Sequence, residues 1–161
     1  FNDAQGNKAI DIFLDKLQMC HTIQFQGRLE RDSPTIPLAE LLLQKMQIVE
    51  LNEKDIQDTI VLLLEHPLNS HDNDTINMTQ LTRVLADDWG FCHTVTTNLR
   101  RVKDALPRYR ALNDRDRHEV TERIDELFAR IENEPKTLGW KLRGKVGTSK
   151  KWYTVVEEVQ R

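Results

Sequence analysis

The sequence predicts an α+β fold that is predominantly α-helical, with a short pair of N-terminal β-strands followed by a helical bundle. Two short segments near the N-terminus have the pattern of strands, while most of the later chain repeats its apolar residues at helical spacing. The 161 residues include only 6 Gly and 5 Pro, with 39% hydrophobic and 30% charged residues. That composition is typical of a helix-rich globular chain.

The two strands are predicted at 9–14 and 21–25. The first segment, AIDIFL, has the apolar density of a buried strand, and the second, HTIQF, alternates before Gly27. Asp11 interrupts the first strand. It is either an exposed edge residue or a carboxylate that is paired or bound to a metal, because burying it alone costs free energy. Residues 1–30 therefore form the strand region, and a proline-containing loop leads to the helices.

The stretch 38–64 is predicted to form two apolar helices joined by a short polar link. The first helix has an apolar side and a polar side, formed respectively by Leu38, Leu41, Leu42, Ile48 and Val49, and by Glu40, Gln44 and Gln47. Lys45 lies in the middle of the apolar side. A lysine there must be paired, must extend to solvent, or must face a polar cavity.

The second helix is predicted to begin after Asn52, which is a suitable N-cap. Asp58 lies in its second turn, and Lys45 is the nearest basic partner for it in the sequence. One interpretation is a structural lysine–aspartate pair between two core helices. The other is a pocket for a phosphorylated ligand, with Lys45 and Lys54 neutralising phosphate while Asp55 and Asp58 hold a metal or take a proton.

Three more helices are predicted in the rest of a helical domain that covers 31–135. A polar, turn-rich stretch follows residue 64, and helices are expected at 77–88 and 90–105. Asn113 is expected to cap a long amphipathic helix that ends before Pro135.

Residues 136–161 are predicted to form a basic, aromatic C-terminal tail. Between residues 136 and 153 it has six basic residues, no acidic residue and three interleaved aromatic residues: Lys136, Lys141, Arg143, Lys145, Lys150, Lys151, Trp140, Trp152 and Tyr153. In one interpretation the aromatic residues pack on the domain and the charges are solvated. In the other, Lys141, Arg143, Lys145, Lys150, Lys151 and Trp152 contact the phosphates and bases of a nucleic acid.

Composition excludes little. No apolar run approaches the roughly 20 residues that span a bilayer, so no membrane partner is expected. A net charge of -3 excludes no other class of partner. Cys20 and Cys92 do not form a disulfide framework, which favours the cytoplasm.

The central stretch resembles a known family. LLLQKMQIV followed by NEKDIQDTIVLL is similar to the downstream half of bacterial nucleotidyltransferase-fold proteins related to the abortive-infection toxins of type IV toxin–antitoxin systems. In that family a lysine within an apolar helix is followed by a K-D-x-x-D helix, which Lys45 and then Lys54, Asp55 and Asp58 match. A carboxylate in a late palm strand is matched by Asp11. The resemblance covers residues 9–65.

The resemblance implies that residues 1–30 are the end of a nucleotidyltransferase palm and that the intact protein transfers a nucleotide to an RNA or protein acceptor. Upstream carboxylates and Asp11 would hold Mg²⁺, Lys45 and Lys54 would bind a nucleoside triphosphate, and Asp55 or Asp58 would orient Lys45 or the acceptor.

The family's Gly-Ser motif and D-x-D carboxylates do not precede Asp11 here, so we expect the chain as given to be catalytically inactive. The alternative is a non-catalytic helical module that binds protein or nucleic acid through its basic tail.

Overall fold

The computed structural model describes residues 12–156 and confirms the predicted α+β, predominantly helical fold. Its elements, in chain order, are β1 Lys16–Gln18, β2 Thr22–Gln24, α1 Leu38–Met46, α2 Glu53–Glu65, β3 Leu68–Asn69, β4 Ile76–Asn77, α3 Met78–Asp87, α4 Trp89–Ala105, α5 Asp114–Asn133 and α6 Leu138–Val146. Within the described part of the chain, no helix combines the length and the apolar character needed to cross a membrane.

The strands form two small sheets. β1 and β2 pair antiparallel, with Leu17 opposite Ile23, and β3 and β4 form a short parallel bridge. The prediction of a strand at 21–25 is confirmed by β2. The prediction at 9–14 is wrong for residues 12–14, because the turn closed by the Met19 amide and the His21 carbonyl pairs β2 with residues 16–18 instead. Residues 9–11 lie outside the described part of the chain.

One hydrophobic core joins the hairpin to the helices. Leu17 and Ile23 of the hairpin belong to the same buried cluster as side chains from α1 to α5. α1 is central and packs against α2, α3 and α4 as well as β2 and β4. Leu42, Leu43 and Met46 of α1 are fully buried. The two central helices that the sequence predicts at 38–64 are confirmed, and the structure positions them at the centre of the fold.

The two sides of α1 differ from the sequence prediction. Glu40 and Gln47, which the pattern assigns to a polar side, are buried. Their partners come from distant parts of the chain: Arg28 binds Glu40, and the His21 amide donates to Gln47.

On the predicted apolar side, Leu38 and Leu42 are buried in the core as expected. Leu41, Ile48 and Val49 instead line a cleft around Lys45, and the last two lie beyond the end of α1 at Met46. A helical wheel cannot predict this division, because it depends on which distant elements pack against each side of α1.

Side-chain caps fix where the later helices begin. Asn52, Asn77 and Asp88 each accept a hydrogen bond from the amide three residues later, at α2, α3 and α4. Asn113 forms a reciprocal capping box with Asp116 at α5, as a strong helix start requires. These starts agree with the helices predicted from the sequence.

The predicted C-terminal tail contains an additional helix, α6, capped by Thr137. The sequence does not predict this helix, because Gly139 and Gly144 lower helix propensity. Packing compensates: a Cβ atom at Gly144 would lie 3.0 Å from the ring of Trp89 on α4, so glycine permits the close approach. α6 contacts α3 and α4 and belongs to the folded domain.

Candidate functional site

Lys45 of α1 contacts both aspartates of the K-D-x-x-D segment on α2. Its Nζ atom donates to Asp58 Oδ2 at 2.7 Å and to Asp55 Oδ1 at 3.2 Å. Asp55 and Asp58 are three residues apart on one helix and therefore share the face that α2 presents to α1. The prediction that Lys45 pairs with Asp58 is confirmed, and Asp55 joins the pair. We call these three residues the Lys45 cluster.

The start of α2 positions the two carboxylates. The Asn52 side chain accepts from the Asp55 amide at 2.9 Å, which fixes the first turn. Thr59 then donates from its hydroxyl to the Asp55 carbonyl at 2.7 Å. Since the backbone around Asp55 is held on both sides, its carboxylate points at Lys45 without depending on a ligand.

The Lys45 cluster is open to solvent on one side. The Lys45 side chain is 25% exposed and the Asp58 side chain 40% exposed. Partial burial opposes the charged form of the lysine, but the hydrogen bonds to Asp58 and Asp55 outweigh it and raise the pKa of Lys45 above its usual value. The ammonium group therefore stays charged at neutral pH, at the end of a side chain that is only partly buried.

Two adjoining cavities meet at Lys45. The larger, with a volume of about 820 Å³, is lined by Lys45 and Asp55 and by residues of the hairpin, the α1–α2 link and the C-terminal segment: Met19, Cys20, Leu41, Gln44, Ile48, Val49, Glu50, Asn52, Tyr153, Val155 and Val156. The smaller, of about 380 Å³, lies on the Asp58 side and shares Leu41 and Lys45 with the first. We call the larger cavity the Lys45 cleft. Its size suits a small organic ligand.

Known proteins give no further guide. No family model, curated protein or solved structure matches this chain. A function for it must therefore be inferred from its own residues and their geometry.

The other two residues of the predicted site, Lys54 and Asp11, are not found at the Lys45 cleft in the part of the chain that the structure describes. Lys54 lies on the exposed surface of α2 and is absent from the lining of both cavities among the residues described. Asp11, the candidate metal ligand, lies outside the described residues. Within residues 12–156, no group of three or more His, Cys, Asp or Glu side chains is placed to hold a metal ion.

A second charged cluster was not found from the sequence. Arg28 donates in pairs to Glu40, at 2.6 and 2.9 Å, and to Asp72, at 2.9 and 2.7 Å. Asn77 also donates to Asp72, and Gln80 to Glu40. The hydrogen bonds from Arg28 hold the pKa of Asp72 below its usual value. We call Arg28, Glu40 and Asp72 the Arg28 cluster, and its well-satisfied groups indicate a structural role.

A polar contact under the hairpin fixes the C-terminal segment. His21 Nε2 and Thr94 Oγ1 are 2.8 Å apart, and Trp152 Nε1 donates to the same hydroxyl at 3.1 Å. The His21 ring stacks on Phe91, and its burial lowers the pKa of His21. A neutral His21 therefore joins the hairpin to α4. The Thr154 amide donates to the Cys20 carbonyl, which places the following residues beside the Lys45 cleft.

The candidate nucleic-acid contacts divide into two groups. Trp152 packs edge-on against His93, and Arg143 lies over Trp89 while donating to the carbonyls of Gly147 and Lys150. Both side chains are thus occupied within the fold. The second group comprises four side chains on the exposed surface: Lys141, Lys145, Lys150 and Lys151.

Proposed function

We propose that this chain is the C-terminal portion of a nucleotidyltransferase-like protein and that the Lys45 cleft binds a nucleoside triphosphate as its magnesium complex. The observation that carries the proposal is the partly exposed Lys45 side chain, whose ammonium group is held by two carboxylates at the edge of a cavity of about 820 Å³. The K-D-x-x-D resemblance supports the same site.

The net charge of the Lys45 cluster favours a nucleotide that carries a bound metal ion. Lys45 contributes one positive charge, and Asp55 and Asp58 contribute two negative charges, so the cluster repels a bare triphosphate. Mg²⁺ is bound in proteins by one or two carboxylates together with substrate phosphates. Asp55 and Asp58 offer suitable hard oxygen donors, and each uses only one oxygen in its hydrogen bond to Lys45. The residues therefore fit an ion that arrives with the nucleotide.

Each residue has a distinct role in the proposed site. Lys45 places a positive charge at the cleft at neutral pH, where it pairs with phosphate oxygens. Asp55 and Asp58 keep Lys45 charged through one oxygen each, and the other oxygen of each would bind the magnesium ion. The magnesium ion supplies charge neutralisation at the phosphates. Lys54 adds positive charge on the exposed side of α2, and Asp11 is proposed as a metal ligand of the intact protein.

Binding rather than transfer tests the proposal, because the role proposed for the Lys45 cleft is to hold the nucleotide. We expect calorimetric titration with ATP, and in parallel with GTP, CTP and UTP, to detect at least one nucleotide in the presence of Mg²⁺ and none in the presence of EDTA. Lys45→Met should weaken that binding about 10- to 100-fold, the value of one hydrogen bond between charged groups.

Lys103→Met is the matched control. Lys103 pairs with Asp125 at 2.5 Å on a different surface, so its loss removes a comparable ion pair without touching the cleft. Unchanged binding by Lys103→Met together with weakened binding by Lys45→Met supports the proposal. If folded protein binds no nucleotide with Mg²⁺, or if the two variants behave alike, the Lys45 cluster is a structural ion pair.

A further inference from the structure

α6 presents an apolar ridge to solvent. Leu138 and Leu142 are 78% and 63% exposed, and Val146 is also exposed. Their spacing of four residues places them along one line on the helix surface. Lys141 and Lys145 are exposed on the same outward side. The outer face of α6 thus consists of an aliphatic ridge flanked by two positive charges.

The inner face of α6 is already fixed, so the ridge cannot be buried by rotating the helix. Trp140 packs against the core, Arg143 lies 4.9 Å from the centre of the Trp89 ring, and Gly144 meets the same ring. The Thr137 amide also donates to the carbonyl of Ala86 on α3. A helix anchored in this way holds its outer ridge in a constant position, as a docking surface requires.

The segment that contains α6 is basic, whereas the rest of the chain is acidic. Residues 136–153 contain six of the chain's 23 basic residues and none of its 26 acidic residues. The rest of the chain is therefore strongly acidic, although the net charge is only -3. A partner that approaches α6 meets a local positive field and, beyond it, a negative one, which favours a compact acidic partner over an extended polyanion.

We propose that the outer face of α6 docks an acidic amphipathic helix of a partner protein. Leucine or isoleucine side chains of such a helix would pack along the Leu138–Leu142–Val146 ridge, and its acidic residues would pair with Lys141 and Lys145. Ridges of residues four apart pack against each other in the commonest class of helix contact. This docking surface is independent of the Lys45 cleft.

Three other occupants fit the surface less well. A single-stranded nucleic acid stacks its bases on aromatic side chains, but Trp140 and Trp152 are turned inward. A second copy of the chain would bring like-charged lysines together along a two-fold seam. A lipid surface favours amphipathic helices with tryptophan or phenylalanine on the apolar face, and this ridge has neither.

Fluorescence anisotropy with a synthetic peptide tests the proposal. The probe is a labelled helical peptide of about 20 residues with leucines four apart and flanking glutamates. We expect saturable binding, weakened at least tenfold by Leu142→Ser. The double substitution Lys141→Glu with Lys145→Glu should abolish binding of this peptide and allow binding of a peptide whose flanking glutamates are replaced by lysines.

Val61→Ser is the matched control, because Val61 is a 57% exposed aliphatic residue on another helix. It should bind the peptide like the unchanged protein. Failure of the acidic peptide to bind, or equal binding by Leu142→Ser, would overturn the proposal. So would dimerisation that Leu142→Ser abolishes, or tighter binding to anionic vesicles or single-stranded RNA than to the peptide.

Discussion

The Lys45 and Arg28 clusters have the same charges in different surroundings. Each joins one basic side chain to two carboxylates, and each links α1 to other elements. Arg28 makes paired hydrogen bonds to both carboxylates, and the Glu40 side chain is only 1% exposed. Lys45 makes one hydrogen bond to each aspartate, and its cluster borders two cavities.

The two clusters therefore share the same kinds of residue but differ in burial and in the number of hydrogen bonds that their carboxylates accept. In the Arg28 cluster, Asn77 and Gln80 occupy additional carboxylate positions, which leaves little room for a ligand. In the Lys45 cluster the ammonium group uses two of its three N–H donors, and each aspartate uses one oxygen in the hydrogen bond to Lys45. The proposed ligand would therefore use the remaining N–H donor and the second oxygen of each aspartate.

The largest expected effect is the loss of Arg28. Arg28→Met leaves Glu40 charged and buried without its main partner, so we expect the free energy of unfolding to fall by about 3–5 kcal/mol. Urea unfolding followed by circular dichroism measures the change. Arg31→Met, at an exposed site nearby, should change stability by less than about 0.5 kcal/mol.

A second substitution checks the cause of that loss. Glu40→Gln introduced into Arg28→Met removes the unpaired charge while keeping the amide's hydrogen-bonding capacity, so it should recover part of the lost stability. If the double variant is as unstable as Arg28→Met, the loss comes from packing rather than from the buried charge.

The two clusters should respond to opposite ends of the pH scale. In the folded protein the pKa of Asp72 is lowered from 3.8. The contribution of its charged form to the free energy of unfolding is therefore complete above pH 3.8 and is lost as pH falls through the folded-state pKa. In the folded protein the pKa of Lys45 is raised from 10.5. The contribution of its charged form to the free energy of unfolding is therefore complete below pH 10.5 and is lost as pH rises through the folded-state pKa.

The acid response is measured by comparing Asp72→Asn with the unchanged protein. We expect the unchanged protein to lose stability below pH 3.8 with an additional slope of at most about 1.4 kcal/mol per pH unit, the limit for one proton. Asp72→Asn should lack this component. If the stabilities of the two proteins fall in parallel with pH, the hydrogen bonds from Arg28 to Asp72 do not stabilise the folded protein.

The main elements could be predicted from the sequence because their signals are local. Asn52 and Asn113 mark helix starts by capping, and apolar spacing identifies the helices that follow. The pairing of Lys45 with Asp58 was also predictable, because a lysine on an apolar stripe requires a partner and the nearest carboxylates lie on the next helix.

What could not be predicted depends on contacts between distant residues. Arg28 meets Asp72 across 44 positions, and no local pattern marks either residue. The position of β1 follows from a turn geometry that the composition of residues 9–14 does not reveal. α6 is stabilised by the ring of Trp89 against Gly144, although glycine argues against a helix in the sequence.

The most direct test of the account is the stabilisation of Lys45→Met by a magnesium–nucleotide complex. Without ligand, Lys45→Met should lose no more than about 1 kcal/mol, because the pair is partly exposed. With ligand at about 100 times its dissociation constant, the unchanged protein should gain about 2.7 kcal/mol, and Lys45→Met should gain far less at the same concentration. A loss of about 3–5 kcal/mol without ligand, or equal stabilisation of both proteins, would contradict the assignment of the Lys45 cleft as a binding site.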